Sequence, residues 1–198
     1  MKLTLRESSS LSRATNMPAK RLLRRNFVWT SDLAYAIGLI TTDGCLSPDK
    51  RHVVLTSTDK DLLVTFKNCL NKNNKITFNP PSSIGIKQAY RVQIGDVVLY
   101  EWLVKIGLLP NKSLVLGSLK ISKKYFRDFL RGHLDGDGSL VYYIDKYNTY
   151  LNPKYIYERL FVFFQSSSEK HILWLRENIF ELIGIKGCLI KELSRPLN

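Results

Sequence analysis

The feature that most constrains this chain is a pattern that occurs twice in it. Gly38 is followed five residues later by Asp43 and then by a second glycine, and the same spacing recurs from Gly132 to Asp137. Both copies follow an apolar run typical of a helix, and both lead into strand-like residues and a second amphipathic helix. One structural unit is therefore expected to occur twice.

In the first copy, hydrophobic periodicity and turn residues predict the order helix, two strands, helix, two strands, helix. The predicted helices lie at 31–43, 59–70 and 97–106, and the strands with assigned bounds at 52–57, 75–78 and 90–94. The first helix is expected to end at Gly44 as its C-terminal glycine. Ser57 and Ser167 are expected to cap the helices that follow them, with contact to water or phosphate as the alternative.

The second copy differs from the first in two ways. The interval between the motif Asp and the next acidic helix start is 16 residues in the first copy and 32 in the second. The inserted segment, 142–157, holds six of the ten tyrosines and is predicted to form a long two-stranded ribbon. About 24 residues, the final hairpin and helix, have no counterpart, so the second copy is expected to be incomplete and to expose apolar surface near 182–193.

The net charge of the chain indicates which class of partner it binds. The formal net charge is +13 and the isoelectric point is about 9.7, a balance typical of nucleic-acid binders. Residues 1–31 contain KRLLRR and a single acid, which favours a basic flexible arm along phosphates, with an organellar transit peptide as the alternative.

Cysteine content and hydropathy limit the cellular compartments in which the protein is expected. Three widely spaced cysteines indicate neither a disulfide framework nor a zinc site, and no run is long and apolar enough to span a membrane. We expect a soluble protein in a reducing compartment. The bacterial cytoplasm, at the nucleoid, is the first choice, and an organellar matrix or stroma is the alternative.

The heptapeptide GHLDGDG at 132–138 places two carboxylates among three glycines. A calcium-binding EF-hand loop also begins D-x-D. Counted from Asp135, however, its sixth position is Leu140 where glycine is required, and its twelfth is Lys146 instead of glutamate. The acids are therefore expected to serve a different chemistry.

The two motifs, GLITTDG at 38–44 and LRGHLDGDG at 130–138, resemble the LAGLIDADG homing endonuclease family in its single-chain, two-motif form, over roughly residues 30–198. The resemblance implies an α+β fold of two pseudo-symmetric αββαββα-type repeats, the second incomplete, packed through their motif helices. Curved antiparallel sheets would form a DNA-binding saddle. We expect an N-terminal arm at 1–31, a first repeat at 32–117 and a second at 118–198.

Small residues at Gly38 and Gly132 are expected to let the motif helices approach closely and to bring Asp43 and Asp137 together. Two adjacent carboxylates repel each other unless a divalent cation neutralises them, and Mg²⁺ prefers such hard oxygen ligands. We therefore expect Mg²⁺, or another divalent cation such as Mn²⁺. The predicted metal site consists of Asp43, Asp137, Gly44 and Gly138.

The family resemblance implies a site-specific endonuclease of an intron-borne mobile element. It would hydrolyse one phosphodiester on each DNA strand with a metal-activated water. Asp43 and Asp137 would be catalytic, and Lys112 resembles the family's lysine that contacts the solvent around the metals, with a surface lysine as the alternative. Asp135 is expected to be a polar residue at the helix end or interface, and His133 to lie inside the helix pair.

Strands are expected to contact double-stranded DNA, since β-ribbons can enter the major groove. The chain is expected to act as a monomer with pseudo-two-fold symmetry, and weak or asymmetric cutting, such as nicking, is expected of the incomplete second repeat. The alternatives are an RNA-binding maturase that contacts intron RNA and a non-catalytic DNA-binding regulator. The candidate DNA-binding residues are Lys50, Arg51, Lys87, Gln88, Arg91, Gln93, Tyr143, Lys146, Asn148 and Lys154.

Overall fold

The computed structural model describes residues 26–79 and 88–191, so the predicted contact Lys87 and most of the predicted basic arm lie outside the described residues. The fold is α+β with antiparallel sheets. The first half contains α1 (Ser31–Thr42), β1 (Gly44–Leu46), β2 (His52–Ser57), α2 (Lys60–Cys69), β3 (Ile76–Asn79), β4 (Ala89–Gly95) and α3 (Val97–Lys105). The second contains α4 (Phe126–Asp137), β5 (Ser139–Asp145), β6 (Tyr157–Phe163) and α5 (Glu169–Ile183). The predicted element order of the first copy is confirmed.

The sheet of the first half has the strand order β1-β2-β4-β3, with every neighbouring pair antiparallel. Its register aligns Leu46 with Val53, and Val53 with Ile94, so these three buried side chains share one face. Arg91 and Gln93 alternate with the buried residues of β4 and therefore lie on the opposite face. The sheet thus has one apolar face and one polar face.

Helix α1 is the centre of the core. Nine of its residues, from Leu33 to Thr41, are buried, because the sheet, α2 and α4 all pack against it. Phe27 and Trp29, which precede the helix, pack against Trp102 of α3 with ring centroids 4.9 and 5.3 Å apart. The packed part of the first half therefore begins before the predicted boundary at residue 32.

Glycines set the distance between α1 and α4. A Cβ atom added at Gly132 would lie 2.1 Å from the carbonyl oxygen of Tyr35, and one at Gly38 would lie 2.3 Å from that of Phe129. No side chain fits at such distances, so the two helix backbones are in direct contact at these positions. This close approach places the C-terminal ends of the two helices side by side.

The predicted end of α1 was wrong in detail. Asp43 is the C-cap with right-handed φ and ψ of −82° and −6°, and Gly44 already belongs to β1 instead of terminating the helix in a left-handed conformation. Glycine is required there for space, because a Cβ atom would lie 2.5 Å from Cα of Ile40.

The predicted serine caps were also wrong. Asp59 caps α2 by accepting hydrogen bonds from the amides of Asp61 and Leu62. At the start of α5 the N-cap residue is Ser168, whose hydroxyl donates to the carbonyl of Leu116 across the chain. The two copies therefore match with Asp59 opposite Ser168, one residue away from the alignment that the sequence suggested.

The second half forms a two-stranded ribbon, but the prediction placed it wrongly, because most of the segment 142–157 is the irregular connection between the two strands. β5 and β6 pair antiparallel from Ser139 opposite Phe163 to Asp145 opposite Tyr157, and residues 146–156 connect them through turns. Leu140 is 62% exposed, whereas Leu46, its counterpart in the first half, is 1% exposed. Within 26–79 and 88–191, no helix has the length and apolar character needed to cross a membrane.

Candidate active site

Asp43 and Asp137 lie at adjacent helix ends, the first as the C-cap of α1 and the second as the last residue of α4. Burial raises the pKa of the Asp43 carboxyl, and the neighbouring Asp137 carboxylate raises it further, while Lys112 acts in the opposite sense. Burial likewise raises the pKa of Asp137, again opposed by Lys112. The two acids therefore form one electrostatically coupled pair.

Lys112 supplies a positive charge beside the two acids, and it is a buried residue instead of a surface lysine. The residue begins a short 3₁₀ turn and is 8% exposed. Its Nζ atom donates to the carbonyl of Thr42 at 3.1 Å and to the carbonyl of Gly44. Burial lowers the pKa of its ammonium group, an effect opposed by the nearby side chains of Cys45, Asp137 and Asp43. The ammonium lies against the C-terminal carbonyls of α1, where the helix dipole favours positive charge.

The two carboxylates line different cavities. Asp43 lines an open cavity of about 680 Å³ together with Ser57 at the end of β2 and Asp135 and Gly136 of α4. Asp137 lines a smaller cavity of about 60 Å³ together with Lys112, His133 and the segment 165–167 that follows β6. Each acid thus faces the polar residues that connect the second strand of its own half to the next helix.

Asp135 has a structural partner. Its Oδ2 atom accepts a hydrogen bond of 2.8 Å from the hydroxyl of Tyr35, which lies across the helix pair on α1. Arg131 lies 4.4 Å from the centre of the same tyrosine ring. Burial and the Asp135 carboxylate both raise the pKa of the tyrosine hydroxyl, so it stays protonated and donates. Asp135 therefore lies at the helix interface.

The donor set fits a hard divalent cation. The described residues contain no cluster of three or more His, Cys, Asp or Glu side chains able to hold a metal ion. A cation at the ends of α1 and α4 would have the Asp43 and Asp137 carboxylates and nearby backbone carbonyls as protein donors. Mg²⁺ is commonly held by one or two carboxylates, with water and substrate phosphate completing the shell. The Gly44 carbonyl already accepts from Lys112, which leaves it one lone pair for a further contact.

His133 does not lie inside the motif helix pair as expected. Its ring packs on the other side of α4, stacked on His171 of α5 with centroids 5.4 Å apart, and edge-on to Phe129 and Phe164. The reason is the close approach of α1 and α4, which leaves room only for glycine-sized residues at their crossing.

Of the predicted DNA-contacting residues, Arg91 and Gln93 lie on the polar face of the first sheet, where Nη2 of Arg91 donates to the Gln93 side chain at 2.8 Å. Lys50 and Arg51 lie exposed in the β1–β2 turn, and Gln88 is exposed just before β4. In the second half Tyr143 lies on β5, and the tip of the ribbon carries three exposed residues, Lys146, Asn148 and Lys154.

Two groups near the acids were missed from the sequence. The pair His133 and His171 occupies positions that hold Leu39 and Leu62 in the first copy, as the glycine motifs and the helix N-caps align. Gln165 lines the small cavity beside Asp137. The sequence signal for the histidine pair was that each histidine takes the place of a leucine in the first copy. The replacement of Leu39 by His133 was visible from the glycine motifs. The replacement of Leu62 by His171 was hidden, because the sequence alignment of the second helices was wrong by one residue.

Comparison with known proteins finds one family model that matches part of the first half. Residues 30–94 match the family model of the LAGLIDADG-like domain. None of the curated proteins matches the sequence significantly.

Solved structures resemble the chain over part of the fold. The full-length DUF199/WhiA protein from Thermatoga maritima is 18% identical with a TM-score of 0.49, over 86% of this chain and 50% of that one, so the present chain spans about half its length. The I-LtrWI LAGLIDADG homing endonuclease, solved bound to target DNA, is 15% identical with a TM-score of 0.47, over 78% and 72% of the two chains. I-DmoI, solved in complex with DNA and Mn, is 15% identical with a TM-score of 0.34, over 81% of this chain and 98% of that one.

Proposed function

Since residues 30–94 match the family model of the LAGLIDADG-like domain, we propose that the chain is a divalent-metal-dependent, site-specific DNA endonuclease acting on both strands. The observation that carries the proposal is the pairing of Asp43 and Asp137 at the ends of two helices in backbone contact, with the buried ammonium of Lys112 beside them. A site with two coupled carboxylates and one cation suits phosphodiester hydrolysis.

Asp43 and Asp137 would hold the metal, with Mg²⁺ as the first candidate and Mn²⁺ as the second. When bound, the metal would lower the pKa of a water molecule and stabilise the charge that develops on the phosphate. Lys112 would stabilise negative charge nearby, and the hydrogen bonds from its ammonium to the carbonyls of Thr42 and Gly44 support this role.

DNA would lie on the polar face of the first sheet and along the β5–β6 ribbon. The net charge of +13 favours binding to phosphates, and the exposed Arg, Lys, Gln and Asn side chains described above are of types that contact bases and backbone. A monomer would then place one carboxylate near each strand. The compartment we propose is the bacterial cytoplasm, with the carrier an intron or similar mobile element.

The test is a cleavage assay on supercoiled plasmid. The plasmid carries the DNA from either side of the reading frame, fused as if the frame and any intron were absent, and a second pool carries randomised duplexes in case the target lies elsewhere. With Mg²⁺ the wild-type protein is expected to give linear DNA, or nicked circles if the second half cuts weakly.

Controls decide between the proposals. Asp43→Asn and Asp137→Asn are each expected to abolish cutting of at least one strand, and Ca²⁺ is expected to support binding without cleavage. Tight, specific binding of either plasmid or intron RNA with no cleavage in any divalent cation would contradict the nuclease and favour the regulator or the maturase. Cleavage that survives both substitutions would remove the two acids from the mechanism.

A further inference from the structure

A buried pair of imidazoles lies next to the proposed active site and has no role in the mechanism described above. His133 is 1% exposed and His171 is 0% exposed, and their Nε2 atoms are 3.3 Å apart. The equivalent positions in the first half hold Leu39, which is buried, and Leu62, which is partly buried against the core, so the fold accommodates apolar side chains there. The histidines therefore need an explanation beyond packing.

The hydrogen bonds fix which nitrogen carries each proton. Nδ1 of His171 lies 2.9 Å from the carbonyl of Gly117, which can only accept, so this nitrogen is the donor. In a neutral His171 the Nε2 atom then accepts, and His133 must donate from its own Nε2. The remaining atom, Nδ1 of His133, is left with a lone pair that accepts.

That acceptor is buried, and no hydrogen-bond partner for it is present among the described residues. Buried polar atoms without a partner are rare in folded proteins, and an ordered water is the usual explanation. His133 lines the cavity of about 60 Å³ that Asp137 and Lys112 also line. A water molecule needs roughly 10–15 Å³ of such space and several polar neighbours, and this cavity has both.

We propose that His133 is a positioning residue that accepts a hydrogen bond through Nδ1 from a water molecule in this cavity, and that this water belongs to the solvent network of the Asp137 carboxylate. The chain from Gly117 through His171 to His133 holds the lone pair in place. Because Leu39 cannot accept, the Asp43 side has no equivalent, and the two halves of the site differ in how their water is held.

The first test does not depend on the proposed function. The chain has three histidines, so ¹⁵N spectra of labelled full-length protein at neutral pH resolve every ring, with His52→Gln and His171→Leu for assignment. We expect His133 in the Nε2-protonated tautomer, with an Nδ1 resonance displaced by an accepted hydrogen bond. An Nδ1-protonated His133, or an Nδ1 resonance typical of a lone pair without a donor, would overturn the proposal.

The second test rests on the proposed function and follows the cleavage of each DNA strand separately. The variant His133→Leu with His171→Leu reproduces the pair of the first half and is expected to fold, which circular dichroism and thermal melting check. Cleavage of the strand served by Asp137 should slow about tenfold, in line with the loss of one well-placed water, while the other strand is cut at the wild-type rate.

The two outcomes separate the proposals. If wild-type protein cleaves nothing but the ¹⁵N spectra give the expected tautomer and hydrogen bond, the water site stands and the nuclease fails. If both strands are cut at wild-type rates by the double-leucine variant, the positioning role is contradicted even though the nuclease is supported.

Discussion

At the scale of single residues, the arrangement of Asp43, Asp137 and Lys112 couples function to stability. Folding buries both carboxyls in part, which raises their pKa above the ordinary value for aspartate, and the Asp137 carboxylate raises the pKa of Asp43 further. Such groups lower the stability of the folded state when they are ionised, so the energetic cost of the site is present at neutral pH. Perturbed carboxyl groups of this kind are common at functional sites, which agrees with the metal-binding role proposed for the pair.

Asp43→Asn removes this repulsion without changing the shape of the side chain. We expect the free energy of unfolding at pH 7 to rise by less than about 1 kcal/mol, because the carboxylate is only partly buried and solvent screens its charge. The gain should shrink as the pH falls through the raised pKa of Asp43, because the wild-type carboxyl is then protonated too. Urea unfolding of both proteins at pH 7 and pH 4 checks this, and a loss of stability at pH 7 would contradict it.

Lys112→Met tests the buried ammonium. The carbonyls of Thr42 and Gly44 would lose their donor, and an unsatisfied buried carbonyl costs about 1–3 kcal/mol. We expect lower stability together with slower DNA cleavage. Lys120→Met, at an exposed lysine of the same connecting segment, is the matched control and should change neither urea unfolding nor cleavage.

At the scale of elements, contact between α1 and α4 is what brings the two acids together. Gly132→Ala would place a Cβ atom 2.1 Å from the carbonyl oxygen of Tyr35, so one helix must move. We expect a loss of about 2–3 kcal/mol in the free energy of unfolding, measured in urea, and weaker cleavage because the acids separate. Gly117→Ala, where a Cβ atom would meet nothing within 4 Å, is expected to change stability by less than about 0.5 kcal/mol. Equal effects of the two substitutions would contradict backbone contact at Gly132.

The packing of α5 on α4 predicts a pH dependence. Burial, and next the neighbouring imidazole, lowers the pKa of His133 to about 4, and burial lowers that of His171. An unfolded histidine titrates near 6.5, so the contribution of this pair to stability is complete above that pH and is lost as the pH falls from about 6.5 towards 4. In that pH range, each imidazole changes the free energy of unfolding by at most about 1.4 kcal/mol per pH unit.

His133→Leu combined with His171→Leu should flatten this part of the curve. Urea unfolding at pH 7.5 and pH 5 measures the difference for both proteins. The carboxyls of Asp43 and Asp137 act in the opposite sense and are common to both proteins, so the comparison isolates the imidazoles. Identical pH dependence in the two proteins would mean that the histidines are not buried and neutral.

The elements were predictable from the sequence where the signal is local. Hydrophobic periodicity, the duplicated glycine and aspartate spacing and the turn residues fixed the order of the first half, because these features depend on neighbours along the chain. The N-caps were missed, since Ser57 and Asp59 are both suitable caps and only the backbone geometry chooses between them. The partner of His133 and the burial of Lys112 depend on contacts between distant segments, which periodicity does not encode.

At the scale of the whole molecule, the two halves differ in how far helices cover the apolar face of their sheet. The apolar face of the first sheet is covered by helices, whereas the equivalent residues of the β5–β6 ribbon are exposed. Leu46→Ala should therefore cost about 2–5 kcal/mol of unfolding free energy. Leu140→Ala should cost less than about 0.5 kcal/mol in the same urea experiment. A large effect at Leu140 would mean that its face is covered in solution.

The proposed nuclease activity requires a divalent cation held between the two halves. Titration with Mn²⁺, followed by electron paramagnetic resonance, tests this directly and needs no knowledge of the DNA target. The protein is titrated alone and with duplex DNA, beside Asp43→Asn, Asp137→Asn and Asp135→Asn, the last a nearby acid bound to Tyr35. We predict that each of the first two substitutions weakens Mn²⁺ binding about tenfold or more, while Asp135→Asn leaves it unchanged. Equal Mn²⁺ affinity in all four proteins would contradict a metal site between Asp43 and Asp137.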